Sequence, residues 1–287
     1  MKQQVQGEGA AHGDEKGPLG FITFRSYHHQ GHHIIWRARD HRKGLRPRDR
    51  LIAADETPIW QSYGYNWVMG LIFATGSFLF MLGSVMALMP EHIMKISALT
   101  ANITFFAGSI PFTTAGFLQN FQAANAKVFS LEDASSGARI RPALLGWQPG
   151  SLGWLSAITQ FVGTIAFNFN TFDAIKAPAG WVAQDVVIWL PGMIGSVLFL
   201  VSAYFAVMET CHAHFAFKPK EIAWWIVMVN FVGCIFFMVA STLAYVPHGQ
   251  EADWIVPLSN ANLWAGAFCF FVAAVLSMRE ARLAMSE

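Results

Sequence analysis

Six apolar runs dominate the chain, at roughly residues 67–89, 95–118, 152–172, 186–208, 222–246 and 261–278. About 20 apolar residues cross the hydrocarbon core of a bilayer as a helix, and each run is close to that length. The runs are continuous rather than alternating, which argues against the strands of a membrane barrel. Only 13% of residues are charged, against roughly 25% in soluble domains. The expected fold class is therefore an all-α membrane protein with six transmembrane helices. Trp67, Trp154, Trp181, Trp189, Trp224, Trp225, Trp254 and Trp264 lie near run ends, where interfacial aromatic belts form. Pro111 falls inside the second run and should kink it, with Thr113 and Thr114 placed to satisfy freed backbone groups.

The polar segments set the expected organisation. Residues 1–66 read as a basic, His-rich tail and 67–119 as a first hairpin. Residues 120–151 read as a loop, 152–209 as a second hairpin, 210–221 as a loop and 222–280 as a third hairpin. With the amino terminus inside, only Lys95 and Lys176 of the 19 Lys and Arg fall outside. The positive-inside rule then selects two cytoplasmic termini. The first 20 residues contain no apolar core of the kind a cleavable signal peptide carries.

Each run carries one copy of a pattern: Gly, a small residue, two positions, Phe, three positions, a small residue. The copies are Gly76-Ser77-Phe80-Ser84, Gly108-Ser109-Phe112-Gly116 and Gly163-Thr164-Phe167-Thr171. They continue as Gly195-Ser196-Phe199-Ala203, Gly233-Cys234-Phe237-Ser241 and Gly266-Ala267-Phe270-Ala274. Glycine spacings within successive pairs are 32, 32 and 33 residues, so the chain reads as three tandem hairpins. Positions i, i+4 and i+8 share a helix face, and small residues there let helices approach closely in lipid. Gly76, Gly108, Gly163, Gly195, Gly233 and Gly266 are thus expected at helix contacts, and three such hairpins could ring a central pocket.

The segments GSFLFMLGS and GSVLFLVSAYFAVMETC, with WRARDHRKGL ahead of the first helix, resemble the YrhK-like bacterial membrane proteins over about residues 35–280. The resemblance implies a bacterial inner-membrane location. It supplies no reaction, cofactor or catalytic residue.

Candidate chemistry is sparse. None of the ten histidines lies in the middle of a run, which argues against a mid-membrane haem held by paired histidines. Asp173, Asp185 and Glu209 lie at run ends, so no intramembrane acid or base suggests proton coupling. Glu209 and His212 are one turn apart and could share a metal, although an interfacial polar cluster explains them as well. His28, His29, His32 and His33 have metal-ligand chemistry, but Gly31 disfavours a helix there. The three cysteines suit small core residues better than a scaffold or metal site. No phosphate-loop, zinc-protease or nucleophile-elbow motif occurs, so a catalytic function, a cofactor and a metal are not expected.

Two groups of residues carry the functional expectations. Trp36, Arg37, Arg39, Arg42, Lys43, Arg46, Arg48 and Arg50 resemble a polybasic segment on the anionic cytoplasmic leaflet, and nucleic acid is not needed to explain their charge. Gln160, Thr164, Asn168 and Thr171 form a polar stripe on the third run, echoed by Asn230 on the fifth. They should face the bundle, bonded across helices or lining a solute path. The chain reads first as a non-catalytic membrane component binding lipid, another membrane protein or a second copy of itself. The alternative is a carrier or pore for a small neutral solute.

Overall fold

A computed structural model describes residues 14–29, 32–45, 58–89, 93, 96–126, 142–247 and 252–286. The chain is mostly helical. A short helix α1 (Ala38–Lys43) precedes α2 (Tyr63–Leu88), α3 (Ala98–Ala124), α4 (Leu152–Ile175), α5 (Trp181–Cys211), α6 (Ile222–Leu243) and α7 (Ile255–Ser286). Five of these, α2, α4, α5, α6 and α7, are long and apolar enough to cross a membrane. The helix α3 has the length but is more polar, with Asn102, Gln119, Asn120 and Gln122 along it.

Serine side chains start three of the helices. Ser62, Ser97 and Ser151 each accept from the backbone N–H three residues on, which satisfies one of the donors a helix start leaves free. Within α5, residues Asp185–Trp189 form a π-helical turn. Pro191 follows and has no N–H to return to the turn before it. The wider turn accommodates this defect, and Leu190 N–H reaches back five residues to Asp185 O. In α3, Thr114 bonds the Ile110 carbonyl of its own turn, while Thr113 reaches across to Thr164 O at 3.4 Å.

Consecutive helices from α2 to α7 pack on one another, and α7 closes back onto α2. Small and polar side chains pack inside the bundle around a phenylalanine cluster, and many bulky apolar ones face outward. Ser77, Ser84, Ser109, Thr164, Ser196 and Ala267 are buried, whereas Phe78, Phe169, Phe172, Val186 and Ile194 are exposed. Such an arrangement suits lipid, where close backbone approach drives helix association.

The repeated glycines face one another in pairs. A Cβ on Gly76 would come 3.0 Å from Gly108 O, and one on Gly163 3.2 Å from Gly195 O. On Gly266 it would lie 2.9 Å from Gly233 O. Each repeat phenylalanine fills the notch its partner's glycine leaves: Phe199 lies over Gly163, and Phe167 over Gly195. The six rings, Phe80, Phe112, Phe167, Phe199, Phe237 and Phe270, meet in one buried cluster. Neighbouring centroids are 4.9 Å apart for Phe237–Phe270 and 5.0 Å for Phe167–Phe199.

The segment before α2 departs from the expected plain tail. Strands β1 (Asp14–Lys16), β2 (Phe24–His29) and β3 (His32–Arg37) form an antiparallel sheet in that order. The β2–β3 register pairs His28 with His33 and Tyr27 with Ile34. Aromatic and β-branched residues on both strands favour this pairing.

Candidate functional site

The helix α1 leads directly out of β3 and ends at Gly44, whose left-handed φ of 67° suits glycine. Arg39, Arg42 and Lys43 stand at i, i+3 and i+4, so they share one face of α1. That face is buried. Arg39 donates to Glu280 through both terminal nitrogens, at 2.5 and 2.9 Å. Lys43 Nζ donates to the same carboxylate at 2.8 Å and to Ser277 Oγ at 3.2 Å. Arg42 Nη2 meets Glu209 Oε2 at 2.5 Å. Burial alone would lower the Arg39 pKa, but adjacent Glu280 holds it above its ordinary value. Burial, helped by Arg39 and Arg42, lowers the Lys43 amine to about 8 against the pull of Glu280.

Amides hold the C-terminal end of α1. Asn66 Nδ2 donates to Lys43 O at 2.8 Å, and Gln61 Nε2 to His41 O at 3.1 Å. Gln122 Nε2 donates to Asn66 Oδ1 and to Trp60 O. Gln122, Glu209 and Glu280 all lie 14 residues after the glycine of their own repeat. The pseudo-repeat thus offers one amide and two carboxylates at matching positions, and α1 carries the cations that meet the carboxylates. Gly153 leaves room for this contact: a Cβ there would fall within 2.5 Å of Arg42 Nε and against Glu209 Oε1.

Beneath α1 lies a cavity of about 130 Å³ walled by side chains from α2 to α7. That is close to the size of an engineered cavity that holds benzene, about 150 Å³. Phe112, Phe199 and Phe270 of the aromatic cluster border it, and Arg39, Arg42 and Lys43 border it from α1. Its polar wall includes Gln119, Gln160, Ser156, Ser202 and Asn230. Gln122 Oε1 and Thr210 Oγ1 are buried and have no hydrogen-bond partner.

The anticipated leaflet segment is divided by the structure. Arg39, Arg42 and Lys43 do not lie on a surface: each is under a tenth exposed, and they pair with the carboxylates of Glu280 and Glu209 inside the bundle. Trp36 and Arg37 are half-buried, with Arg37 3.9 Å from Asp40. Arg46, Arg48 and Arg50 lie outside the described residues. The sequence alone does not single out Glu280, and it presents Glu209 as an interfacial group or a metal partner of His212. The i, i+3, i+4 cations and the matching acidic positions were the available signal.

The polar stripe also divides. Gln160 and Asn230 line the cavity, and Gln160 Oε1 accepts from Gln119 Nε2 at 3.0 Å. Thr164, Asn168 and Thr171 do not reach it. Asn168 Nδ2 donates to Thr113 Oγ1 at 2.7 Å, and Thr171 Oγ1 lies 3.2 Å from Ser109 Oγ. Thr164 is buried and bonds the Phe161 carbonyl of its own helix. Asn168 Oδ1 is buried without a partner.

Glu209 and His212 serve different elements. His212 has a left-handed φ of 57°, its Nδ1 lies 3.0 Å from Thr23 Oγ1, and its ring is 5.4 Å from Phe24. Burial, then Lys218, Arg37 and Lys16, lowers its pKa to about 4. Among the described residues, no group of three His, Cys, Asp or Glu could hold a metal. The chain matches no protein-family model, no curated protein and no solved structure.

Proposed function

We propose that this is a non-catalytic bacterial inner-membrane protein, of YrhK-like kind, that holds a small polar molecule in its central cavity. In this reading α2 to α7 are six spans arranged as three hairpins, and both termini are cytoplasmic. The cavity then opens from the inner half of the membrane, with α1 as its cover. The observation that carries the reading is the cavity between α1 and the phenylalanine cluster, walled by all six helices. Small-molecule sites combine such apolar walls with a few convergent polar groups.

A through-going carrier path is less well supported. The stripe would have to run past Asn168, which is bonded to Thr113 and lies off the cavity. The packed rings of six phenylalanines also stand across the bundle centre. Lipid and a membrane-protein partner keep the exposed outer face, where Phe78, Phe169 and Phe172 lie.

The test uses the full chain in neutral detergent with a panel of small polar solutes, read by thermal unfolding. At least one solute should raise Tm, and Ser202→Trp, which fills the cavity, should abolish the rise. In proteoliposomes the same solute should equilibrate no faster than in empty vesicles. No shift across the panel overturns the binding reading, and facilitated flux replaces it with the carrier.

A further inference from the structure

The cavity wall is unbalanced in charge. Three cations, Arg39, Arg42 and Lys43, border it together with one carboxylate, Glu209. Glu280 stands behind them, bonded to Arg39 and Lys43 at once. Asp40 on α1 also acts on Arg39 but lies 3.9 Å from Arg37, so four cations of this cluster stand against three carboxylates among the described residues. A buried net charge is costly unless a counter-charge meets it. Water in the cavity would lower that cost but supplies no counter-charge.

Two further groups lie at the same wall. Gln122 is fully buried, and its Nε2 is spent on Asn66 and Trp60 O, while its Oε1 has no partner. Thr210 is 5% exposed, and its Oγ1 has no partner either. An amide oxygen only accepts, whereas a hydroxyl can donate or accept. A complementary guest therefore brings one negative charge for the cationic face and at least one donor for Gln122. The volume, near that of a benzene-sized guest, limits it to a few heavy atoms.

We infer that the cavity binds a free, small monocarboxylate bearing a hydroxyl group, with the carboxylate on the Arg39–Arg42–Lys43 face of α1 and the hydroxyl toward Gln122. The inference rests on the cavity being a binding site and adds the chemical class of its guest. It also gives the cover a role. The ligand competes with Glu209 and Glu280 for the same three cations, so binding and the seating of α1 are coupled through shared partners.

Full-length protein in neutral detergent is titrated with lactate, propionate and lactamide at constant ionic strength set by chloride, and Tm is followed. Lactate should raise Tm saturably. Propionate, which lacks the hydroxyl, should bind several-fold more weakly. Lactamide, the neutral isostere, should give no shift. Lys43→Met should weaken lactate at least tenfold, and Gln122→Leu should erase the preference for lactate over propionate. The wild-type comparison of lactate with lactamide needs no variant, so a folding defect in either substitution leaves the test decisive. Equal shifts with lactate and lactamide overturn the anion assignment and leave the binding reading standing. A shift from neutral solutes alone has the same meaning. No shift with any solute overturns both. A shift produced by phosphatidylglycerol but not by lactate assigns the charge to a lipid headgroup and overturns the free-solute assignment.

Discussion

Arg42 and Glu209 are 167 positions apart in sequence, and their side chains meet at 2.5 Å inside the bundle. Both are buried, so the contact fastens the segment before the first long helix to the end of α5. Such a pair contributes little net stability, because desolvation opposes the Coulomb attraction. Its loss on one side is another matter. Arg42→Met should destabilise the protein by about 3–5 kcal/mol, because it strands a buried carboxylate. Adding Glu209→Leu should recover most of that loss. Thermal or denaturant unfolding of the two single variants and the double variant checks the cycle, and purely additive losses would show that the two residues are not coupled.

The same contact depends on the absence of a side chain. Gly153→Ala changes no charge, yet its methyl group would occupy the space of Arg42 Nε and Glu209 Oε1. Protease sensitivity of the chain around α1 should rise, with the bundle core unaffected. If α1 remains as protected as in the wild type, the pair tolerates displacement and does not position the cover.

The glycine–phenylalanine notches give a prediction for the core. A Cβ on Gly163 would come 2.7 Å from the Phe199 ring and 3.2 Å from Gly195 O. Gly163→Leu should cost about 1–3 kcal/mol through overpacking, and Gly76→Leu should behave alike at Gly108 and Phe112. Substitution at exposed Phe169 to Leu should be nearly neutral in detergent. Equal effects at both kinds of site would remove the packing role of the repeat.

How much of this was legible depended on the physics of each feature. The apolar runs stand out in sequence because a bilayer demands a long uninterrupted stretch, and the glycine pattern does because its spacing is strict. Helix ends were less readable. The second apolar run ends at 118, yet α3 continues to Ala124, because buried Asn120 and Gln122 bond to Leu145 O, Trp60 O and Asn66 Oδ1. The sixth apolar run covers 261–278, whereas α7 spans Ile255–Ser286. Glu280 can stay buried there only because Arg39 and Lys43 come to it from the far end of the chain. A dense run of arginines ordinarily marks a solvated or lipid-facing surface. Composition does not reveal that two of them, with Lys43, find carboxylates inside the bundle. The sheet is not legible because its strands are short, and Ile34, Ile35 and Trp36 run together beside histidines instead of alternating with polar residues.

Asn168 separates structural from functional polarity. Its amide donates to Thr113 across α3 and α4, and interhelical bonds of this kind average about 0.6 kcal/mol. Asn168→Leu should therefore change stability by about that amount and leave any ligand-induced Tm shift intact. Asn230→Leu, at the cavity wall, should reduce the shift. A loss of ligand response in Asn168→Leu alone would return the stripe to consideration as a solute path.

The sheet is joined to the bundle through His212, and this junction should respond to acid. Its Nδ1 lies 3.0 Å from Thr23 Oγ1, beside the Phe24 ring. Burial, and then the positive charges of Lys218, Arg37 and Lys16, lower its pKa from 6.5 to about 4. The folded state therefore binds the proton less readily than the unfolded chain does. Between about pH 4 and 6.5 the unfolded state carries more protons on this residue, so stability rises with pH across that window. The contribution is fully present above pH 6.5 and declines as pH falls toward 4. Hydrogen exchange of residues 14–37 should accordingly accelerate on acidification through this range, before the bundle loosens. His212→Asn isolates the cause: asparagine tolerates the left-handed backbone found there and can still bond Thr23, but it does not titrate. The variant should keep the sheet docked and flatten the pH profile. An unchanged profile would assign the acid sensitivity to another group.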